Sequence, residues 1–224
     1  MWTTTFCPNF TIWSFTFLNV LVQLIFYIGT LIYTSTTEQG LNKYMFLGNS
    51  LETLHDFGMR MPFEIKENGE VWRLILSLYI NHGLSQLIIN CLGLMFSGFM
   101  LEAQMGSIRL MLFYFISGIC GNLLATTAND WYAVGAEPAL LAQLAGLISM
   151  YIYFWNNIGQ EEDWCRRVCG LFLCVFLLFI GIYFLTSFAQ PYKIYMQAFK
   201  LAYPDTSGIF GGALFGFFLA WVFI

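Results

Sequence analysis

Long apolar segments separated by short polar connections dominate this chain of 224 residues. A helix needs about 20 consecutive apolar residues to cross the hydrocarbon core of a bilayer. Six segments approach or reach that length, and charged residues fall between them or at their ends. They lie near residues 10–33, 84–101, 108–126, 138–156, 168–188 and 208–224. Because backbone polar groups must be satisfied within lipid, and short alternating strands are missing from the sequence, the pattern predicts six membrane-spanning helices.

Composition supports a membrane location for the whole chain. Hydrophobic residues make up 58% of it and charged residues only 10%, whereas about 25% of the residues of soluble domains are charged. The predicted class is an all-α polytopic membrane protein with a single domain. Its parts are an N-terminal segment with the first helix (1–33), an interfacial first loop (34–83) and the remaining five helices (84–224).

Charge and cysteine content limit the classes of partner and cofactor. The formal net charge of −4 argues against a nucleic-acid partner. Most cysteines lie in or beside apolar segments, where a thiol behaves as a small hydrophobic group. Cys165 and Cys169 are one helical turn apart, but packing is favoured over metal binding, so we expect no metal and no cofactor. Lysine and arginine residues lie on both sides of the predicted bundle and leave its orientation open.

The first loop contains Trp72 followed by Arg73. A stretch of about 50 residues between spanning segments is typical of a functional or structured cap. An indole ring and a guanidinium group at the membrane interface anchor a loop against headgroups. The pair therefore predicts an interfacial lid held by Trp72 and Arg73.

Five stretches, in order, resemble the rhomboid intramembrane protease family. They are the Trp-Arg loop with the helix start that follows it, L-E-A-Q-M-G-S-I-R, S-G-I-C-G-N-L-L-A-T, V-G-A-E-P-A-L-L-A and D-T-S-G-I-F-G-G-A-L-F-G. The similarity covers roughly residues 50–220, so we expect the six-helix rhomboid fold. The positions that the last four stretches contribute to that fold include Glu102, Gly106, Arg109, Gly135, Pro138, Gly208, Gly212 and Gly216.

The resemblance implies where a catalytic site would lie. Active rhomboids use a serine at the mouth of the fourth helix and a histidine on the sixth, and such chemistry needs both groups within hydrogen-bond reach. Here the serine position is Glu137, the glycine after it is Pro138, and the histidine position is Ile209. The family's oxyanion positions on the second helix are Gln86 and Asn90, which can still donate hydrogen bonds. We expect no activity from this altered dyad.

The remaining side chains offer little replacement chemistry. The two histidines, His55 and His82, both precede the second predicted helix, so neither can supply an imidazole from the sixth. Ser85 and Ser117 provide hydroxyls for a displaced nucleophile, but the sequence places no base beside either. An active serine protease with displaced residues stays an alternative hypothesis.

Glu137 at the threshold of an apolar segment has two interpretations. A carboxylate at a helix entrance meets unpaired N–H groups and the positive end of the helix dipole, and Pro138 suits the first turn. Alternatively, an ionisable group at membrane depth marks a wet cavity or pairs with a partner's cation. Helix capping is the favoured interpretation, and both can hold together.

Small residues recur on the fourth and sixth predicted helices, which predicts close backbone contact between them. They are Ala139, Ala142 and Gly146 on the fourth helix, and Gly208, Gly212 and Gly216 on the sixth.

A fold kept without its catalytic pair predicts a structural or partner-binding protein. We expect it to contact other membrane proteins through helix packing, together with lipids, as a subunit of a hetero-oligomeric complex. On the expectation that its termini pack on neighbours, the mitochondrial inner membrane and an assembly such as a respiratory complex are favoured. An endoplasmic reticulum or Golgi pseudoprotease that handles client membrane proteins is the alternative.

Overall fold

A computed structural model of the chain describes residues 13–37, 40–42, 46–154 and 205–223. Within these ranges the regular elements are helices, accompanied by two isolated β-bridges. The helices are α1 (Phe15–Thr36), α2 (Leu51–Asp56), α3 (Pro62–Lys66), α4 (Arg73–Leu76), α5 (Leu84–Met105), α6 (Ser107–Ala128), α7 (Glu137–Tyr153) and α8 (Thr206–Phe223). The predicted all-α class is confirmed.

Four of these helices, α1, α5, α6 and α8, are long and apolar enough to cross a membrane. The predicted segment 138–156 corresponds to α7, which has 17 residues. The predicted segment 168–188 lies outside the described residues. The count of six spans therefore stays a prediction.

The structure extends α5 four residues beyond the predicted end at residue 101, because hydrogen bonds within the fold satisfy the Glu102 carboxylate. Its carboxylate accepts hydrogen bonds from the backbone N–H groups of Phe15 and Thr16, at 2.7 and 3.1 Å, and from the Thr16 hydroxyl at 2.6 Å. Ser107 also donates to it. Glu102 thus satisfies unpaired donors at the start of α1, while Gly106, with φ of 82°, makes the turn into α6.

Helix α7 lies at the centre of the bundle. Residues 137–146 are all buried, and α7 packs against α5, α6 and α8. Leu140 and Leu141 contribute to a core cluster that includes Leu94 of α5 and Tyr114 of α6. A helix covered on most sides tolerates the buried polar groups that a lipid-facing helix would exclude.

Helices α7 and α8 are in close contact, as predicted. However, two of the three small residues predicted on the α7 side of this contact face a different helix. A Cβ added at Gly212 would overlap the backbone carbonyl of Pro138, and one at Gly216 would overlap Ala142. Ala139 and Gly146 instead face α6, where they lie under Gly118 and Phe113. Of the predicted α7 residues, Ala142 is the one that lies directly beneath a glycine of α8.

Helix α1 buries most of its polar side chains and exposes many of its apolar ones. Thr16, Asn19, Gln23, Thr30 and Thr34 are almost completely buried, at 3% exposure or less. Ile25, Ile28 and Ile32 are more than half exposed. This arrangement is expected where the surrounding solvent is lipid, because polar groups then find their hydrogen bonds inside the bundle.

The prediction that Arg73 contacts lipid headgroups is wrong, because its side chain faces the interior of the first loop. Its side chain is 5% exposed and binds Glu70 at 2.5 Å and the carbonyl oxygen of His55 at 2.8 Å. Its guanidinium carbon also lies 4.7 Å from the centre of the Trp72 ring, which is 41% exposed as a residue. The backbone carbonyls of the loop satisfy the arginine, so Arg73 holds the first loop together from within.

Arg109 acts at the opposite end of the bundle. Its guanidinium donates to the carbonyl oxygen of Phe223, at 3.2 Å, near the end of α8. A cation near a helix C-terminus also complements the negative end of the dipole. Arg109 thereby ties the start of α6 to the end of α8.

Candidate functional site

The start of α7 is positioned by a tight turn at Gly135. Its φ of 123° is open to glycine and strained for other residues. Its N–H donates to the carbonyl oxygen of Ser77 at 2.8 Å. Backbone hydrogen bonds between Arg60 and Ala133, at 3.0 and 3.1 Å, join the first loop to the same connection. The first loop and the α6–α7 connection therefore form one structure over the mouth of α7.

Glu137 is the first residue of α7 and is only 1% exposed. The N-cap position belongs to Ala136, and no side chain caps the helix there. The carboxylate turns towards α5 instead, where Gln86 Nε2 donates to Glu137 Oε1 at 2.5 Å. The carboxylate also interacts with the backbone N–H of Glu137 itself, at the first turn of α7, so a buried hydrogen bond between helices accompanies the predicted role at the helix entrance.

Gln86 uses its whole amide group. Nε2 donates a second hydrogen bond to the carbonyl oxygen of Val134, at 2.7 Å, and Oε1 accepts from the backbone N–H of His82 at 2.8 Å. Both amide hydrogens and the amide oxygen are therefore engaged. A side chain held in this way fixes the Glu137 carboxylate and leaves no donor free for an oxyanion.

Asn90 lies one turn after Gln86 on α5. Its Nδ2 donates to Asn81 Oδ1 at 3.0 Å, and Asn49 Nδ2 donates to the Asn81 carbonyl oxygen at 2.7 Å. Asn90 Oδ1 is buried without a hydrogen-bond partner among the described residues. The two predicted oxyanion positions thus belong to a polar network that runs from the first loop to Glu137.

Ile209 is buried, at 8% exposure, in the same core cluster as Ala136 and Ala139. Since Gly208 lies against Pro138, the predicted histidine position is near the beginning of α7. An isoleucine there contributes packing and cannot accept a proton. Gly208, one residue earlier, lies against Pro138 and Asp205.

A buried ion pair between Arg60 and Asp205 was missed by sequence reasoning. The two side chains are 0% and 4% exposed, and Arg60 Nη1 binds Asp205 Oδ2. Arg60 also approaches Asn122 Oδ1 at 3.4 Å and the Trp131 carbonyl oxygen at 3.5 Å. Asp205, directly before an apolar segment, was the available signal. No sequence feature around Arg60, 145 positions away in the first loop, indicated that it would pair with Asp205.

These groups surround a narrow, tightly packed cleft at the mouth of α7. Its lining residues are Ser77, Asn122, Ala133, Val134, Gly135, Glu137, Pro138 and Asp205. Ser77 accepts a hydrogen bond from Asn122 Nδ2 at 3.0 Å, so the cleft is bordered by a connected set of polar groups.

The other candidate nucleophiles and bases lie in unsuitable surroundings. The Ser117 hydroxyl is buried and donates to the carbonyl oxygen of Phe113 on its own helix, at 2.6 Å. Ser85 is half-buried. Burial lowers the pKa of His82 to about 4, so its imidazole is neutral at pH 7. His55 forms an exposed pair with Asp56.

Two of the described carboxylates that could approach Glu137 have cationic partners of their own. Asp130 is exposed beside Lys66, and Asp205 is bound to Arg60. In the part of the chain that the structure describes, no group of three His, Cys, Asp or Glu residues is arranged to hold a metal ion. Among the described residues, the polar groups at the mouth of α7 are joined by buried hydrogen bonds.

The helices and their buried polar mouth define a polytopic membrane protein built around a central helix. A family model of the Rhomboid domain matches residues 68–224, and the chain belongs to the rhomboid family. That family includes proteases and members described as inactive.

Individual relatives agree with this assignment. The chain is similar to RHOMBOID-like protein 5 of Arabidopsis thaliana, with 32% identity over 190 residues, which cover 83% of this chain and 54% of that protein. RHOMBOID-like protein 6, mitochondrial, from the same organism is 29% identical over 187 residues, with the same coverages. Inactive RHOMBOID-like protein 8 of that organism is 29% identical over 141 residues, covering 62% of this chain and 40% of the relative. The chain thus spans about half the length of the first two relatives.

Proposed function

We propose that this chain is a non-catalytic rhomboid that serves as a structural or partner-binding subunit in a membrane assembly. The observation that carries the proposal is Glu137, buried and hydrogen-bonded to Gln86 at the position where the resemblance places the nucleophilic serine. Ile209 occupies the position of the base. Without a nucleophile and a base in contact, the acyl-transfer mechanism has no first step.

The polar groups at this mouth stabilise structure in place of catalysis. Gln86 has its amide fully engaged, and the Arg60–Asp205 pair closes the first loop over the start of α8. Buried polar networks in which most groups are satisfied favour a single arrangement of the helices. A rigid bundle of this kind suits a subunit that presents helix surfaces to neighbours.

Partner binding is expected along the outer faces of the helices. The exposed side chains of α1 and α8 are mostly large and apolar, including Ile25 and Ile32 on α1, and Phe218 and Val222 on α8. Helices in a bilayer associate through packing and hydrogen bonds. Either lipids or other membrane proteins can cover these apolar helix faces. We propose that protein partners cover part of them.

The mitochondrial inner membrane is the favoured location, with the endoplasmic reticulum or Golgi membrane as the alternative. One similar protein, RHOMBOID-like protein 6, mitochondrial, of Arabidopsis thaliana, carries that location in its name. In the favoured setting the chain is a lasting subunit of a large complex such as a respiratory assembly. In the alternative it binds client membrane proteins without cutting them.

Labelling with an active-site probe tests the loss of catalysis. The purified chain is incubated with a fluorophosphonate probe and, separately, with a membrane-spanning model substrate. We expect neither labelling nor cleavage from the natural sequence, and none from Ser85→Ala or Ser117→Ala variants. Labelling of the natural chain that one of these variants abolishes would show a displaced nucleophile and overturn the proposal.

Affinity purification in mild detergent tests the partner-binding role. Mild crosslinking in membranes before extraction should retain the same membrane proteins in stable ratio to the chain, and the fractionated organelle shows which membrane holds the complex. Recovery of the chain as a lone monomer, with and without crosslinking, contradicts a role as a subunit.

A further inference from the structure

The connection between α3 and α4 contains the only Asn-Gly pair in the sequence, Asn68 followed by Gly69. Both residues are exposed. The charged residues Lys66, Glu67 and Glu70 flank the pair, and charged side chains are costly to bury in lipid, so this turn faces water. Exposed loop tips with small and polar residues are the parts of a fold most accessible from solution.

The backbone nitrogen of Gly69 is open to reaction. Its N–H has no hydrogen-bond partner among the described residues, whereas the N–H groups of Glu70 and Val71 donate to the carbonyl oxygens of Glu64 and Gly69, at 3.1 and 2.8 Å. Gly69 has φ of 71°, and nothing lies within 4 Å of an added Cβ. This nitrogen can therefore lose its proton, and no side chain on its own residue obstructs its approach to the Asn68 amide.

The Asn68 side chain is held by a single contact. Its Nδ2 donates to Glu64 Oε2 at 2.5 Å, and this pair is exposed. Water competes for both partners, so the hydrogen bond adds little to the fixing of the amide group.

Asn49, which is followed by Ser50, provides a contrast within the same chain. These two residues are 1% and 4% exposed. Asn49 Nδ2 donates to the Thr30 hydroxyl at 3.0 Å and to the Asn81 carbonyl oxygen at 2.7 Å. The fold thus fixes and covers this asparagine, whereas it leaves Asn68 in solvent beside an unbonded backbone nitrogen.

We propose that Asn68 undergoes spontaneous deamidation through a cyclic imide formed with the backbone nitrogen of Gly69. A hydroxide ion takes the proton of the Gly69 N–H, and the nitrogen attacks Asn68 Cγ. The new N–Cγ bond replaces the bond from Cγ to Nδ2, and Nδ2 takes a proton from water and leaves as ammonia, which regenerates hydroxide. Water then opens the imide at either carbonyl group, giving aspartate or isoaspartate. The net reaction consumes water and releases ammonia, without an oxidant or a reductant.

The product changes the turn between α3 and α4. A carboxylate at position 68 faces Glu64, four residues earlier, so a hydrogen bond is replaced by repulsion between like charges. In isoaspartate the backbone also runs through the former side chain, next to the hydrogen bond from Glu70 to Glu64. Glu70 in turn binds Arg73. Deamidation therefore acts as a one-way switch that loosens this part of the first loop, whether or not the chain is catalytic.

Peptide mapping by mass spectrometry tests the reaction. The full chain in detergent micelles is incubated at mildly alkaline pH and sampled over time. We expect a mass increase of about 1 Da at Asn68, with separate aspartate and isoaspartate peptides, and no change at Asn49 in the same samples. Lack of conversion at Asn68 in the folded chain overturns the proposal. Aspartate without isoaspartate also overturns it, because that product indicates direct hydrolysis, and equal conversion at Asn49 refutes the argument from burial.

Variants test the cyclic step and its consequence separately. Asn68→Gln keeps an amide donor for Glu64 but needs a larger ring, so it should stay unconverted. Asn68→Asp mimics one product, and amide exchange in the turn should become about fivefold faster. Adding Glu64→Gln to Asn68→Asp restores a donor and an acceptor, and should return exchange towards that of the natural chain. Exchange unchanged in Asn68→Asp would show that the modification is not a switch.

Discussion

Replacing Arg60 by methionine should destabilise the protein strongly, because it leaves Asp205 buried without its cation. The Arg60 and Asp205 side chains are 0% and 4% exposed, so solvent cannot screen the remaining charge. Asp205 Oδ1 has no partner among the described residues, and the substitution removes the partner of Oδ2 as well. Breaking a buried pair from one side costs about 3–5 kcal/mol.

The size of this effect is large relative to the stability of a domain, which is roughly 5–15 kcal/mol. Arg60 also contacts Asn122 Oδ1 and the Trp131 carbonyl oxygen, but at 3.4 and 3.5 Å these contacts are long. Most of the loss should therefore come from the unpaired Asp205. A double variant, Arg60→Met with Asp205→Leu, removes both charges and should recover most of it.

Unfolding in mixed micelles with increasing denaturing detergent, followed by tryptophan fluorescence, measures these differences. Lys66→Met is the matched control, since Lys66 and Asp130 form an exposed pair, 42% and 85% exposed, worth about 1 kcal/mol or less. A loss in Arg60→Met no greater than in Lys66→Met would refute the argument. So would a double variant as unstable as the single one, since the loss would then come from packing.

Other substitutions test the packing and hydrogen bonding of the bundle. Gly212→Ala should separate α7 from α8 and cost about 1–3 kcal/mol in micelle unfolding, whereas Gly29→Ala, with nothing within 4 Å of its added Cβ, should be close to neutral. Glu102→Ala should loosen the start of α1 by about 2 kcal/mol, measured as faster amide exchange there, while Glu52→Ala should leave that exchange unchanged. Burial in the folded state lowers the pKa of His82 from 6.5 to about 4. Between pH 6.5 and pH 4, the unfolded state therefore binds a proton that the folded state does not. The unfolding free energy of the natural chain should therefore fall by up to about 3 kcal/mol more than that of His82→Gln as pH drops from 6.5 to 4; parallel pH profiles would contradict the burial argument.

The positions of the long helices were predictable because lipid leaves the backbone few alternatives. An apolar segment in a bilayer must satisfy its own N–H and C=O groups, so each segment within the described residues became a helix near its predicted bounds. Their ends were less predictable. The charge of Glu102 suggested that the α5 segment ended before it, but hydrogen bonds from Phe15 and Thr16 allow the helix to continue past it.

The polar contacts of the candidate site depend on tertiary structure that no local pattern reports. Arg60 is an isolated positive charge in the first loop, and nothing near it in sequence indicates burial or a partner 145 positions away. Arg73, beside an exposed tryptophan, has the sequence environment of a headgroup anchor. The carbonyl oxygen of His55 satisfies it within the loop instead. In both cases the fold supplies the acceptor.

Burial of Glu137 explains why changing one residue is not expected to restore a hydrolase here. Gln86 divides its two amide hydrogens between Glu137 and the Val134 carbonyl oxygen, and its oxygen accepts from His82. Glu137→Ser would shorten the side chain, break one of these bonds and leave a void that the packed start of α7 cannot easily fill. Without a histidine in place of Ile209, the new hydroxyl would still have no base. On the proposed function, Glu137 and Gln86 therefore act as a matched pair that stabilises the mouth of α7 through the same positions that catalysis would require.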